Sequence, residues 1–271
     1  MQCICGNARG KIIFEGNDYS LTKCESCSLV RTNPVPLLQL QDEHDGAGIR
    51  HRKDRIPLWE SFARRDFYIL DAYISRDLRS KKLLEIGCSM GIFLKVFEES
   101  ASDGWQCIGL DTDQEAVAFA RERWNLNVLT KRLEDAGFSE EEFDIVVISH
   151  TLEHIYNLYD FLKEAKRILK KGGVLFISVP NFRSLPARLL KNRWYGLNPK
   201  QHVWQFTPKT LSRIIRGLGL SVEKIVTNKA MYYEKAEHGV AGFLFRSFLK
   251  LSELSGLADN LYLVARKMHA K

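Results

Sequence analysis

From residue 82 to residue 266 the chain alternates short apolar runs with amphipathic stretches, and this alternation restricts its possible folds more than any other feature. Runs at 82–86, 106–111, 126–130, 143–149, 173–179, 222–227 and 261–266 have the length and the Val, Ile and Leu content of buried strands. The stretches 92–98, 114–124, 157–169 and 208–218 carry apolar residues at helical spacing. In the third, Phe161, Leu162, Ala165, Ile168 and Leu169 share one face. Gly172-Gly173 supplies the stop of that helix, and Pro208 after Thr207 has the form of a helix start. Strands separated by crossover helices predict an α/β fold with a mostly parallel sheet covered on both faces.

The first of these units also carries chemistry. Leu83-Leu84-Glu85-Ile86-Gly87-Cys88-Ser89-Met90-Gly91-Ile92-Phe93-Leu94 runs from a strand through a glycine-bounded loop into a helix. Glycines let backbone approach a ligand, and the first free N–H groups of the following helix point at it. Asp111 ends the next strand, where a carboxylate can hold both hydroxyls of a ribose. The loop is neither the G-x-G-x-x-G of a dinucleotide site nor a phosphate loop with Gly-Lys-Ser/Thr.

The segment resembles the first motif of the class I S-adenosylmethionine-dependent methyltransferases, E/D-x-G-x-G-x-G, with Ser89 in place of the middle glycine. Other stretches fit the same family in order: Gly109-Leu-Asp-Thr-Asp-Gln-Glu-Ala116, Arg132-Leu133-Glu134-Asp135, the run from Phe143 to His154 with its Leu-Glu-His ending, and Leu169 to Asn181 with its double glycine and Pro-Asn close. The resemblance spans residues 82–266. It implies a Rossmann-like seven-strand methyltransferase sheet, mostly parallel with an antiparallel last strand, that binds S-adenosylmethionine. Carried over by position, Glu85, Gly87, Cys88, Ser89 and Gly91 surround the amino-acid end of the cofactor. Asp111 and Thr112 meet its ribose, Leu133 and Glu134 its adenine, and Ser149 ends the fourth strand beside it. The Cys88 and Cys107 thiols are expected to pack rather than react.

Methyl transfer is an in-line displacement whose barrier falls mainly through alignment. An oxygen nucleophile also gains from proton removal, for which a histidine beside the cofactor is suited. His150, at the exit of the fourth strand, and His202, in Asn198-Pro-Lys-Gln-His-Val-Trp-Gln-Phe-Thr207, are the candidate bases, and His154 is read as structural. His150-Thr-Leu-Glu153-His154 also fits the H-x-x-E-H motif of zinc peptidases. That site needs both histidines on one helix, whereas 143–149 reads as a strand.

Residues 1–36 form a separate unit with Cys3, Cys5, Cys24 and Cys27, a zinc-ribbon-like layout in which four thiolates would complete a structural zinc site. Residues 37–80 are read as a linker and a lid helix, with apolar residues from Trp59 to Ile74 at helical spacing. Residues 81–271 form the catalytic domain, with substrate-capping segments near 182–207 and 228–257. The first capping segment carries Trp194, Tyr195, Trp204 and Phe206 among basic residues, an arrangement that can clamp a flat or anionic acceptor or simply pack as a lid.

Charge is uneven. Twelve lysines and arginines and no acid lie between Glu164 and Glu223, against a whole-chain net of +7, so the remainder is net acidic. An anionic or lipid-linked small-molecule acceptor is expected, with RNA as the alternative and a catalytically inactive binding protein as a third reading. There is no membrane-length apolar run and no secretion signal, so a cytoplasmic monomer or homodimer is expected.

Overall fold

The computed structural model describes residues 3–35, 53–74, 81–228 and 240–268. Three short strands, β1 (Gly10–Glu15), β2 (Ser20–Cys24) and β3 (Val30–Asn33), open the chain as an antiparallel meander. Helix α1 (Ile56–Asp71) follows, with Ala63, Asp66 and Leu70 as its buried residues. The expected linker over 37–52 and the end of the expected lid segment, 75–80, lie outside the described residues.

The alternating region then folds as β4 (Lys82–Ile86), α2 (Ile92–Ser100), β5 (Gln106–Asp111), α3 (Gln114–Trp124), β6 (Val128–Thr130), β7 (Phe143–Ser149), α4 (Leu158–Ile168) and β8 (Leu169–Pro180). After it come α5 (Leu185–Leu190), β9 (Trp204–Gln205), α6 (Pro208–Gly217), β10 (Leu220–Asn228), α7 (Val240–Leu254) and β11 (Asn260–Lys267).

All seven expected strands enter one sheet, in the order β10-β11-β8-β7-β4-β5-β6. β6, β5, β4, β7 and β8 pair in parallel, while β11 runs antiparallel to both β8 and β10. The last strand is therefore the reversed one, as expected. A core lies on each face. Leu84, Val146, Ile148 and Leu175 belong to one, packed with Leu162 and Ile215. Leu83, Ile145, Val147 and Phe176 belong to the other, with Phe93, Phe97 and Val117. Near-continuous burial along β7 and β8 is what a doubly covered parallel sheet demands.

One boundary differs. The helix before β8 ends at Ile168, ahead of the glycine pair, and the chain extends at once as strand. Register slips between the Phe143–Leu169 and Ile145–Val174 pairs, so Gly172-Gly173 sits in an irregularity of the ladder instead of stopping the helix. A Cβ on Gly173 would lie 2.8 Å from the Lys170 carbonyl and 3.0 Å from that of Asp144, which only glycine avoids.

The N-terminal meander is not closed on itself. β9 pairs antiparallel with β3 and makes a four-stranded sheet, β1-β2-β3-β9. Thr32 adds two contacts, its N–H donating to the Val203 carbonyl and its hydroxyl to that of His202.

Candidate active site

The loop after β4 is bent by three residues with left-handed backbone, Gly87 (φ 78°), Ser89 (φ 47°) and Gly91 (φ 71°). A Cβ on Gly87 would fall 2.0 Å from the Thr151 Oγ1, and one on Gly91 2.5 Å from a Leu126 methyl. Gly87 is thus required by close approach as well as by dihedral, whereas Gly91 is required chiefly by its dihedral, because the Leu126 methyl it would meet can shift. Ser89 has no such freedom; its N–H donates to Asp111 Oδ2 at 2.6 Å, which holds the strained turn. Asp111 Oδ1 accepts the Asp113 N–H at 2.9 Å, and Asp113 in turn caps α3 by accepting from Ala116. Each carboxylate oxygen of Asp111 keeps a further lone pair. Helix α2 starts after Gly91 with no side-chain cap; the Leu94 N–H turns to the Glu85 carboxylate, and the N–H groups ahead of it have no cap from the N-cap residue.

Three acids converge electrostatically under this loop. Glu85 is 4% exposed with no hydrogen-bond partner for Oε2 among the described residues. Burial holds its carboxyl well above the usual carboxylate range, and the charges of Asp66 and Asp111 add to that. Asp66, also 4% exposed, arrives from α1. Its Oδ2 accepts the Ser149 hydroxyl at 3.0 Å, and burial pushes it up to about 6 despite His150 and Arg65 nearby.

Across the strand exit stands a histidine–carboxylate cluster. His150 is half-buried with φ 48°, and its Nδ1 lies 3.5 Å from Glu153 Oε1. Burial favours neutral His150, but Glu153 and Asp66 outweigh it and the imidazole titrates above its ordinary value. Glu153 follows in a 3-10 turn, Leu152–His154, and is 1% exposed. Burial opposes its ionisation, yet His150, His154 and His202 hold it down to about 2. His202 is buried, its Nδ1 2.9 Å from the Gly196 carbonyl, and desolvation lowers it to about 4. The His154 and His202 rings meet edge to face at 4.7 Å.

The methyltransferase domain family matches residues 62–225, which spans more than half the chain and contains all of these groups except the helix start before Phe62. The chain belongs to this methyltransferase domain family. It is 32% identical over 166 residues to the human mitochondrial ubiquinone biosynthesis O-methyltransferase, covering 56% of this chain and 44% of that protein. A ubiquinone biosynthesis O-methyltransferase of Glaesserella parasuis is 33% identical over 132 residues, 44% of this chain and 54% of the relative. The chain thus spans about half the length of the curated relatives it matches. Among solved structures, an S-adenosylmethionine-dependent methyltransferase from Archaeoglobus fulgidus shares the fold, with TM-score 0.57, 24% identity, and coverage of 78% of this chain and 94% of that one.

Within the methyltransferase domain the remaining expected residues are placed as follows. Leu133 is buried and Glu134 exposed in the turn after β6, and Thr112 is exposed after β5. Cys88 is buried, its thiol facing the position where Gly109 has no side chain. Trp194, Trp204 and Phe206 are buried as packing, and Tyr195 donates to Asn260 Oδ1 at 2.7 Å; these aromatics do not form an open clamp. Asp66 is the functional candidate that sequence reasoning missed. Its signal was an acid in the Ala63–Asp66–Leu70 stripe, at the spacing of a buried helix face.

The four N-terminal thiols bring their sulfurs within 4.8 Å of one another, with Cys3–Cys27 at 3.3 Å and Cys5–Cys24 at 3.5 Å. Two turns shape them: Gly6 N–H donates to the Cys3 carbonyl, and Ser28 N–H to that of Cys24. Burial raises Cys24, but N–H donors at Cys27 and Ser26 outweigh it and bring the thiol down to about 7. Four convergent thiols without disulfides are a donor set consistent with a metal site. Glu153, His154 and His202 are the other group among the described residues whose donor atoms come within 4.8 Å.

Proposed function

We propose that this chain transfers the methyl group of S-adenosylmethionine to a hydroxyl oxygen of an anionic or lipid-linked small molecule. The observation that carries the reading is the Ser89–Asp111 latch beside a helix start with no side-chain cap, which sets backbone N–H groups and the Asp111 carboxylate at the same edge of a sheet. When bound, the cofactor supplies an electrophilic methyl on a cationic sulfur. The protein's own part is alignment. The Gly87–Gly91 loop would hold the amino-acid end, Asp111 and Thr112 the ribose, and Leu133 and Glu134 the adenine.

His150 is the base we favour. It sits half-exposed at the exit of β7, next to the site, with Glu153 behind it to orient the ring and receive its positive charge. His202 is buried in the turn against β3 with its Nδ1 occupied by the Gly196 carbonyl, and serves structure in this reading. His150→Asn tolerates the left-handed backbone. It should lower kcat by about 10²- to 10⁴-fold with cofactor affinity unchanged. Equal losses in kcat and in cofactor affinity would remove His150 from the role of base.

Small-molecule O-methylation is supported by the relatives named for ubiquinone biosynthesis, at modest identity. Structural zinc on Cys3, Cys5, Cys24 and Cys27 is part of the proposal, as is a cytoplasmic monomer or homodimer. Several cations of the acid-free stretch are paired, Arg167 with Glu164, Lys170 with Asp144 and Lys171 with Glu141, which weakens the case for RNA. No helix among the described residues is long and apolar enough to cross a membrane. Incubation with methyl-labelled cofactor and separated small-molecule, lipid and RNA fractions tests the acceptor class. Label is expected in the small-molecule or lipid fraction, and label confined to RNA would overturn the assignment.

A further inference from the structure

Asp66 is a carboxylate where the packing of α1 calls for an apolar side chain. Ala63 and Leu70 flank it on the buried face, and it is 4% exposed. Burying a charge in such a seam is costly unless a partner compensates it. Ser149 donates to Oδ2, and the Tyr262 hydroxyl lies close enough to favour the carboxylate, while Oδ1 makes no geometrically formed hydrogen bond among the described residues. Glu85, at the end of β4, repeats the pattern with its buried, unpartnered Oε2, and the two acids destabilise each other's charge. Arg65, which lies over the Phe62 and Tyr262 rings, moderates the charge of Asp66 from one side, and His150 from the other. Two buried carboxylates with free oxygens, set before a loop that accepts a ligand, describe a place prepared for a cation.

Resting on the cofactor reading above, we propose that Asp66, assisted by Glu85, receives the ammonium of the cofactor's amino-acid end. The lid helix α1 is thereby held down by the cofactor itself. The hydrogen bonds from the ammonium would occupy the free Oδ1 and Oε2, and its charge would relieve the repulsion between the two acids. Binding would also tie α1 to the exit of β7, because the other oxygen of Asp66 already holds Ser149.

Two probes separate this from a structural role. S-adenosylhomocysteine carries the amino-acid end, whereas 5′-methylthioadenosine has the adenosine and sulfur without it. Titration calorimetry on wild-type protein and Asp66→Asn should show at least a tenfold loss of affinity for the first probe and less than a twofold change for the second. Unfolding of the free variant should occur at or above the wild-type temperature, since a buried charge has been removed, which shows that it is folded. Equal weakening of both probes, or no weakening of either, would overturn the proposal. Failure of the wild-type protein to bind either probe would instead bring down the cofactor reading on which it rests.

Discussion

Ser89 shows how a single backbone angle encodes a departure from the family pattern. The middle position of the loop is left-handed, where glycine is at ease and serine carries strain of about 1 kcal/mol. Ser89→Gly should therefore raise stability by about 0.5–1 kcal/mol in denaturant titration and retain cofactor binding. A loss of stability would mean that the hydroxyl does more than the angle costs. The left-handed turns at Gly87 and Gly91 were legible because that backbone sign favours glycine, and the place of Asp111 at the end of β5 was legible from the strand pattern. Asp66 was not, because an acid in an amphipathic helix reads as surface until its neighbours are known. It also predicts a pH signature. The folded carboxyl titrates at about 6 and the unfolded one near 4, so the folded state holds the extra proton between those values. Stability should fall as pH rises from 4 to 6, by on the order of 2 kcal/mol from this group. Asp66→Asn should flatten that limb of the pH–stability curve, and an unchanged slope would show that Asp66 is not buried in the free protein.

Between elements, the strongest surprise is β9. Two residues, Trp204 and Gln205, complete the N-terminal sheet, and the same segment places His202 and accepts Thr32. Val203 N–H donates to the Glu153 carbonyl, and Trp204 Nε1 to that of Ile155, so the cysteine module is wired to the histidine cluster. A strand this short, paired across some 170 residues, leaves no periodicity to read, whereas β4, β5, β7 and β8 announced themselves as continuous apolar runs. Helix α3 was legible to the residue because Asp113 caps it and Asn125 closes it in the left-handed region. If the thiols hold zinc, metal removal loosens the four-stranded sheet and with it the turn carrying His202. Elemental analysis should find one zinc per chain. Chelation should lower the melting temperature and turnover together, and unchanged turnover in a metal-free protein would separate the module from the site.

At the scale of the molecule, the alternation of runs was enough to give the seven strands and their mostly parallel pairing, whereas the reversed last strand was expected only from the family resemblance. The identity of the acceptor was not legible, because the segments expected to cap the site are in part outside the described residues and in part given over to packing: Trp194, Trp204 and Phe206 are buried. Helix α7 illustrates the same ambiguity. Its Leu249 and Ser252 face inward while Phe243, Leu244, Leu251 and Leu254 are exposed, so its apolar pattern does not by itself name what it meets. What the whole chain does commit to is the cofactor, and that is the claim to test first. Isothermal titration of the full chain with S-adenosylmethionine should give one site per chain, with Asp111→Ala weakening it by at least 100-fold. No binding by the folded protein, or binding that survives Asp111→Ala intact, would contradict the account.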